Sequence, residues 1–244
     1  MNKVITIVSG LPRSGTSMMM KMLEAGGMEV MVDNVRKADD DNPQGYYELE
    51  RVKQIKEDTS WLDSVQGKAV KMVSMLLYDL PADRNYNILF MKRDIDEILV
   101  SQRIMLERKG EGKNINDGEM KELFTRHLLE IAQWLYNQNN MRVLFVDYKD
   151  IIDNPQENAR IINEHLGNCL ITDNMIRAVD TSLYRQRCGN LLKSDRIPDE
   201  KKSLETIEEQ EKKKIEEQLR SLRYNYLGNK DICIKSSFYA YFFQ

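Results

Sequence analysis

Short apolar runs alternate with amphipathic stretches along the first two thirds of the chain. Residues 4–8 read VITIV, a β-branched run that is typical of a parallel strand covered on both faces. Residues 87–91 (NILFM), 142–146 (RVLFV) and 69–72 (AVKM) predict further interior strands. These runs therefore predict the strands of one sheet.

The amphipathic stretches predict the helices between and after these strands. They cover residues 16–25, 94–108, 119–137 and 154–166. Gly26 and Gly27 end the first helix. Asp94 and Glu97 have the spacing of a capping box at the start of the second, and Asn154 with Pro155 is expected to cap the last.

Strands that alternate with helices imply βαβ units and right-handed crossovers. We therefore expect an α/β fold with a mostly parallel sheet flanked by helices, and ligands at the carboxyl ends of the strands. We assign residues 1–195 to this α/β domain. Residues 196–244 are expected to form a charged C-terminal helix and an aromatic tail packed on the same domain. For the end of the tail, SSFYAYFFQ, a homodimer contact or an apolar acceptor site are the alternatives.

Composition narrows the class of protein. The 244 residues are 41% hydrophobic and 31% charged, which excludes disordered and collagen-like chains and fits one large domain. A net charge of -3 argues against a nucleic-acid partner, so an anionic ligand would need a local cationic cluster. No apolar run has the ~18–20 residues needed to span a bilayer, and no signal peptide is evident. The expected location is cytoplasmic.

Cysteine and histidine usage agrees with a reducing compartment. The three cysteines (Cys169, Cys188 and Cys233) have no CxxC spacing, and the only histidines are His127 and His165. This set forms neither a disulfide scaffold nor a standard zinc site, and both histidines are interpreted as structural. Residues 39–41 (DDD) are interpreted as a loop, with a divalent-metal site as the alternative.

A glycine-framed loop, GLPRSGTS at residues 10–17, follows the first predicted strand and precedes the first predicted helix. Backbone N–H groups and the helix dipole favour an anion at such a place. The loop has a GxxxxG frame, but Thr16 stands where a nucleotide-hydrolysing P-loop requires Lys. The cation is instead Arg13, whose planar fork suits a 5′-phosphate donor.

The loop resembles the 5′-phosphosulfate-binding loop of sulfotransferases that use 3′-phosphoadenosine 5′-phosphosulfate (PAPS). The resemblance implies a P-loop NTPase-like sulfotransferase fold and assigns donor binding to the loop residues Pro12, Arg13, Ser14, Gly15, Thr16 and Ser17. A second block, KRD at 92–94 followed by VS at 100–101, resembles the family's 3′-phosphate-binding segment, with Arg93 and Ser101 eight residues apart.

Two further blocks carry the same likeness. Residues 143–150 (VLFVDYKD), followed by a helix that ends in Leu-Gly, resemble a family segment whose tyrosine packs on the adenine, so Tyr148 inherits that role. Lys71 precedes Leu80-Pro81 as a lysine does in the cytosolic enzymes. For the segment that closes over the 3′-phosphate, the nearest counterpart is RQRCG at 185–189, which nominates Arg187.

Sulfuryl transfer needs cations for the leaving phosphate and a base for the acceptor. Arg13 and Lys71 supply the cations, and no metal is chemically required. The histidine that cytosolic enzymes carry two residues after the lysine is replaced by Val73. Because other branches of the superfamily use Glu, Glu48 is the preferred base, with Glu50 and Asp33 as alternatives. These carboxylates also suit a helix start, which is the competing interpretation.

The sequence thus predicts a PAPS-dependent sulfotransferase that moves a sulfuryl group to a hydroxyl or amine of a small-molecule or glycan acceptor. Two other functions stay open at this point. A P-loop nucleotide kinase or NTPase would require Mg²⁺ and the lysine that this loop lacks. A non-catalytic nucleotide-binding protein on the same fold would bind adenosine 3′,5′-bisphosphate without transferring any group.

Overall fold

The structure is a computed structural model that describes residues 4–33, 35, 45–108 and 116–184. All of these residues belong to one compact unit, Met1–Arg187. The predicted boundary at 195/196, the predicted C-terminal helix and the aromatic tail lie outside the described residues. No helix in the described ranges is long and apolar enough to cross a membrane.

A four-stranded, fully parallel sheet forms the centre of this unit, with strand order β2-β1-β3-β4. The strands are β1 (Ile5–Gly10), β2 (Ala69–Val73), β3 (Tyr86–Lys92) and β4 (Met141–Asp147). All six residues of β1 are buried, as its unbroken apolar run predicts for a strand between two neighbours. The α/β class with a parallel sheet is confirmed.

The described residues also form six α-helices. They are α1 (Thr16–Ala25), α2 (Ile95–Arg108), α3 (Asp117–Tyr136), α4 (Tyr148–Asp153), α5 (Pro155–His165) and α6 (Thr172–Arg177). Short 3₁₀ helices cover Glu50–Gln54, Ser60–Val65, Ser74–Asp79 and Thr181–Leu183. The four predicted helices are confirmed to within a residue or two, whereas α4 and α6, at six residues each, are too short for a periodic pattern.

Helix starts show which of the predicted caps form. The Asp94 carboxylate accepts hydrogen bonds from the backbone N–H groups of Asp96 and Glu97, at 2.8 and 3.2 Å, and so caps α2. At α5, Asn154 makes no side-chain cap. Pro155 begins that helix because its fixed φ suits the first helical position.

The strand order creates a crevice between β1 and β3. The chain leaves β1 towards β2 and leaves β3 towards β4, in opposite directions along the sheet. At such a switch point the connections that follow the two neighbouring strands diverge and leave a crevice, which is where open parallel sheets bind ligands. On one face of the sheet, apolar residues of β1, β3 and β4 pack with α1, α5 and α6 in a single buried cluster. The phosphate-loop sequence therefore begins at the switch point.

Candidate functional site

The loop after β1 depends on glycine at two positions. Gly10 has φ 151°, and a Cβ atom there would lie 2.5 Å from Ser14 Oγ and 2.6 Å from the Met91 carbonyl oxygen. Gly15 has φ 98°, and a Cβ would lie 2.3 Å from the Tyr148 ring. Only residues without a Cβ allow this loop to pack so closely against β3 and Tyr148.

The loop also has the features of an anion site. The residue before α1 is Gly15, which has no side chain that could cap the helix, and the first helical turn holds no acidic residue. The Ser14 hydroxyl is buried, with no hydrogen-bond partner among the described residues. A helix N-terminus and an unpartnered buried hydroxyl both favour a phosphate or sulfuryl oxygen here, so these residues fit a phosphosulfate group.

Arg13 connects this loop to the residues predicted for the 3′-phosphate. Its Nε donates to Ser101 Oγ across 3.0 Å. Arg93 Nη1 donates to the Arg13 carbonyl oxygen across 3.1 Å. Arg13 itself has a φ of 68°, in the left-handed region. Residues 80 and 88 positions apart in the chain thus form one cluster at the ends of β1 and β3.

Arg93 lies among a carboxylate and two aromatic rings. Its Nε donates to Glu97 Oε2 across 3.0 Å, with only 10% and 5% of the two side chains exposed. The guanidinium carbon is 4.8 Å from the centre of the Tyr148 ring and 5.5 Å from that of Tyr184. Burial raises the pKa of Tyr148, so its ring stays neutral at physiological pH. The rings of Tyr148 and Tyr184 meet edge to face at 5.4 Å.

Lys71 and Glu48 meet on the other side of β1. Lys71 lies opposite Val8 in the sheet, and its Nζ is 3.4 Å from Glu48 Oε1. The same Nζ donates to the Tyr46 carbonyl oxygen, which also accepts a hydrogen bond from Ser17 Oγ at 3.4 Å. The segment that carries Glu48 is thus held by Ser17, in the first turn of α1, and by Lys71, in β2.

The two alternative base candidates have different surroundings. Asp33 accepts hydrogen bonds from the backbone N–H groups of Glu50, at 2.5 Å, and Val35, at 3.0 Å. Glu50 begins the first 3₁₀ helix and forms an exposed ion pair with Lys53 at 2.9 Å. The Asp33 carboxylate is therefore bound to backbone N–H groups, and Glu50 lies at a helix start, as the competing interpretation has it. Glu48, in contrast, contacts Lys71.

Both histidines are buried. Burial lowers the pKa of His127 to about 4, and its Nε2 is 2.8 Å from the Ser74 hydroxyl. Burial, with help from nearby Arg142, also lowers the pKa of His165. Cys169 is exposed, and the part of the chain described here contains no metal-binding group of three His, Cys, Asp or Glu side chains. Arg187, Cys188, Cys233 and the acidic run 39–41 lie outside the described residues.

Two members of the cluster were not predicted as site residues. The sequence pattern assigns Glu97 only to a helix cap, although a carboxylate four residues after an arginine at a helix start has the spacing of an ion pair. Tyr184 had no local signal, because it follows a short 3₁₀ helix and reaches the site only through the fold.

Comparison with known proteins identifies the family. Residues 5–233 match the family described as "Sulfotransferase domain", so the chain belongs to the sulfotransferase family and is a transferase. Among solved structures, one match is described as "Sulfotransferase Domain from the Curacin Biosynthetic Pathway", at 13% identity and a TM-score of 0.44. That match covers 81% of this chain and 93% of the other. No match was found among curated protein sequences.

Proposed function

We propose that this sulfotransferase takes its sulfuryl group from PAPS and delivers it to a hydroxyl or amine of a small-molecule or glycan acceptor. The observation that carries the proposal is the contact of Arg13 with both Ser101 and Arg93. Through these contacts the loop that fits a phosphosulfate group lies next to the residues that resemble a 3′-phosphate site. A donor with phosphate groups at both its 5′ and 3′ positions matches this arrangement.

In the proposed reaction the acceptor oxygen or nitrogen attacks sulfur in line with the leaving phosphate. The new bond joins sulfur to the acceptor, the bond from sulfur to the bridging oxygen breaks, and adenosine 3′,5′-bisphosphate leaves. Negative charge grows on that bridging oxygen, where the cations Arg13 and Lys71 and the N-terminus of α1 are suited to oppose it. The acceptor proton passes to a carboxylate.

Glu48 is the carboxylate we assign as base. It lies 3.4 Å from Lys71 Nζ, so the proton acceptor and one of the cations are neighbours. Its side chain is 23% exposed, which leaves it open to an acceptor from solvent. Asp33 is occupied by two backbone N–H groups, and Glu50 pairs with Lys53 at the surface, which makes either a poorer choice.

The test of the donor is calorimetric titration of the full chain with adenosine 3′,5′-bisphosphate, adenosine 5′-phosphate and ATP, the last with and without Mg²⁺. We expect the bisphosphate to bind at least ten times more tightly than the 5′-phosphate, without metal, because a buried charge-assisted contact to the 3′-phosphate is worth about 1.5–3 kcal/mol. Arg93→Ala is expected to remove most of this preference.

Arg103→Ala is the matched control. Arg103 lies on α2, the helix that follows Arg93, and forms a half-exposed ion pair with Asp117. Its replacement therefore removes one positive charge at a position outside the proposed site. It should leave the preference unchanged. Preference for Mg²⁺-ATP would favour a kinase or NTPase instead. Bisphosphate binding without transfer to any acceptor in a broad panel would favour a non-catalytic nucleotide-binding protein.

A further inference from the structure

A buried carboxylate lies at the cation that the proposed 3′-phosphate site depends on. Only 4% of Glu97 is exposed, and its Oε2 accepts from Arg93 Nε at 3.0 Å. Because few water molecules reach this carboxylate, its electrostatic attraction to the guanidinium is only weakly screened. Any anion that approaches Arg93 therefore meets this negative charge as well.

The position of Glu97 on α2 brings it next to Ser101. The two residues are four apart, so they lie on one face of the helix, one turn from each other. Both are buried, and Ser101 accepts the hydrogen bond from Arg13. The carboxylate consequently lies beside the two residues, Arg93 and Ser101, that a 3′-phosphate would bind.

Tyr184 is a further partner of this carboxylate. Its hydroxyl donates to Glu97 Oε1 at 2.7 Å, whereas Arg93 Nε donates to the other carboxylate oxygen, Oε2. A donor at Oε1 draws part of the negative charge of the carboxylate away from Arg93. Because its ring also lies 5.5 Å from the Arg93 guanidinium, Tyr184 contacts both members of the pair.

From these contacts we propose that Glu97 competes with the 3′-phosphate for Arg93 and so sets how tightly donor and bisphosphate product bind, with Tyr184 moderating that competition. The proposal rests on the proposed function, since it concerns the same 3′-phosphate site. Glu97 orients the guanidinium through Nε and opposes a phosphate through its charge. It is thus a positioning and specificity residue, and it takes no proton from the acceptor.

The test compares adenosine 3′,5′-bisphosphate with adenosine 5′-phosphate by calorimetry and uses the ratio of their dissociation constants. Glu97→Gln keeps the shape of the side chain and an amide oxygen for Arg93 but removes the charge. We expect the preference for the bisphosphate to increase about tenfold, the order expected when one buried charge facing a phosphate is removed. Affinity for the 5′-phosphate should stay within about twofold.

Tyr184→Phe is the second variant. It keeps the ring and removes only the hydroxyl that donates to Glu97, so the carboxylate opposes a phosphate more strongly. The preference for the bisphosphate should fall about threefold, since one charge-assisted hydrogen bond to the carboxylate is lost. Both variants remove a contact from the same cluster, yet their effects have opposite signs, which general destabilisation does not produce. If Glu97→Gln does not fold, Tyr184→Phe alone decides.

Asp96→Asn is the matched control, because Asp96 lies in the same turn of α2 and forms an exposed ion pair with Lys121. It should not change the ratio. An unchanged or lower ratio in Glu97→Gln, or a higher one in Tyr184→Phe, overturns the proposal. Failure of the proposed function is a separate result, visible as a wild-type protein that does not prefer the bisphosphate over the 5′-phosphate.

Discussion

At the scale of single residues, the proposed donor site depends on three cationic side chains. Arg13 joins the loop to α2, Arg93 joins β3 to the loop backbone, and Lys71 lies beside Glu48. Each lies at or near the carboxyl end of a different strand. The proposed donor site therefore needs all three strands to bring its cations together. Because the whole chain has a net charge of -3, we expect anion binding to depend on this local group.

Glu48 provides the first prediction at this scale. Glu48→Gln should lower kcat by a factor of about 10²–10⁴, the usual contribution of a general base, while affinity for the bisphosphate is retained. The comparison is Glu50→Gln, which changes the same functional group two residues later and should keep most of the turnover. Equal loss in both variants, in steady-state assays with one acceptor, would contradict the assignment.

Gly15 provides the second prediction at the scale of single residues. Gly15→Ala combines a φ of 98° with a contact to the Tyr148 ring, whereas Gly27→Ala has nearly the same φ, 100°, and no neighbour within 4 Å. Each should lose about 1–2 kcal/mol of unfolding free energy from the left-handed backbone alone. Gly15→Ala should lose a further ~1–3 kcal/mol from overpacking, measured by urea unfolding. Equal losses would show that Tyr148 moves aside without cost.

At the scale of elements, α2 organises the site. Asp94 caps the helix directly after β3, so its first turns begin where the sheet ends. The four-residue spacing from Glu97 to Ser101 places both on one face of α2, and Arg93, just before the helix, contacts Glu97. The predicted helix start was therefore enough to place Ser101 about two turns into α2.

The contact between α3 and the 3₁₀ helix after β2 predicts a pH effect. His127, bonded to Ser74, has a pKa of about 4 in the folded protein against 6.5 for the free side chain. The unfolded chain therefore binds more protons between these values, and stability falls as pH drops from about 6.5 towards 4, by at most ~3 kcal/mol.

His127→Gln should flatten this dependence, because the variant has no group that titrates at this position. Unfolding free energies from urea titrations at pH 7, 6 and 5 give the measurement. His165→Gln is the comparison, since its pKa is lowered as well and it should remove a separate part of the slope. A slope unaffected by His127→Gln would mean that the imidazole charges without cost in the folded state.

At the scale of the whole molecule, strand order decides where the site forms. The order β2-β1-β3-β4 makes the loops after β1 and β3 neighbours at the switch point, and these loops carry Arg13 and Arg93. The family match extends over residues 5–233, beyond the last described residue, 184. The role predicted for Arg187 in closing over the 3′-phosphate accordingly stays a prediction.

Ligand binding should stabilise the whole molecule without metal. At a bisphosphate concentration 100 times its dissociation constant, the folded state gains about 2.7 kcal/mol. For a chain of this size that corresponds to a rise in Tm of about 5–10 °C. Thermal unfolding with and without EDTA is the measurement. A rise that disappears in EDTA would show that the nucleotide requires a divalent cation.

Local sequence patterns determined the strands, the four longer helices and the loop, because each depends on residues close together in the chain. The β-branched run of β1, the glycines of the loop and the cap at Asp94 act within a few residues of themselves. The resemblance of these segments to a sulfotransferase was readable for the same reason, and the family match confirms it.

Tertiary structure alone decided which side chains meet. The Glu97 carboxylate has one partner four residues away and another 87 residues away, and no local pattern links Tyr184 to α2. The choice among Glu48, Glu50 and Asp33 likewise depended on contacts with β2 and with backbone N–H groups that sequence spacing does not reveal. Such contacts form only when the sheet brings distant strand ends together, because burial then removes the water that would otherwise satisfy those groups.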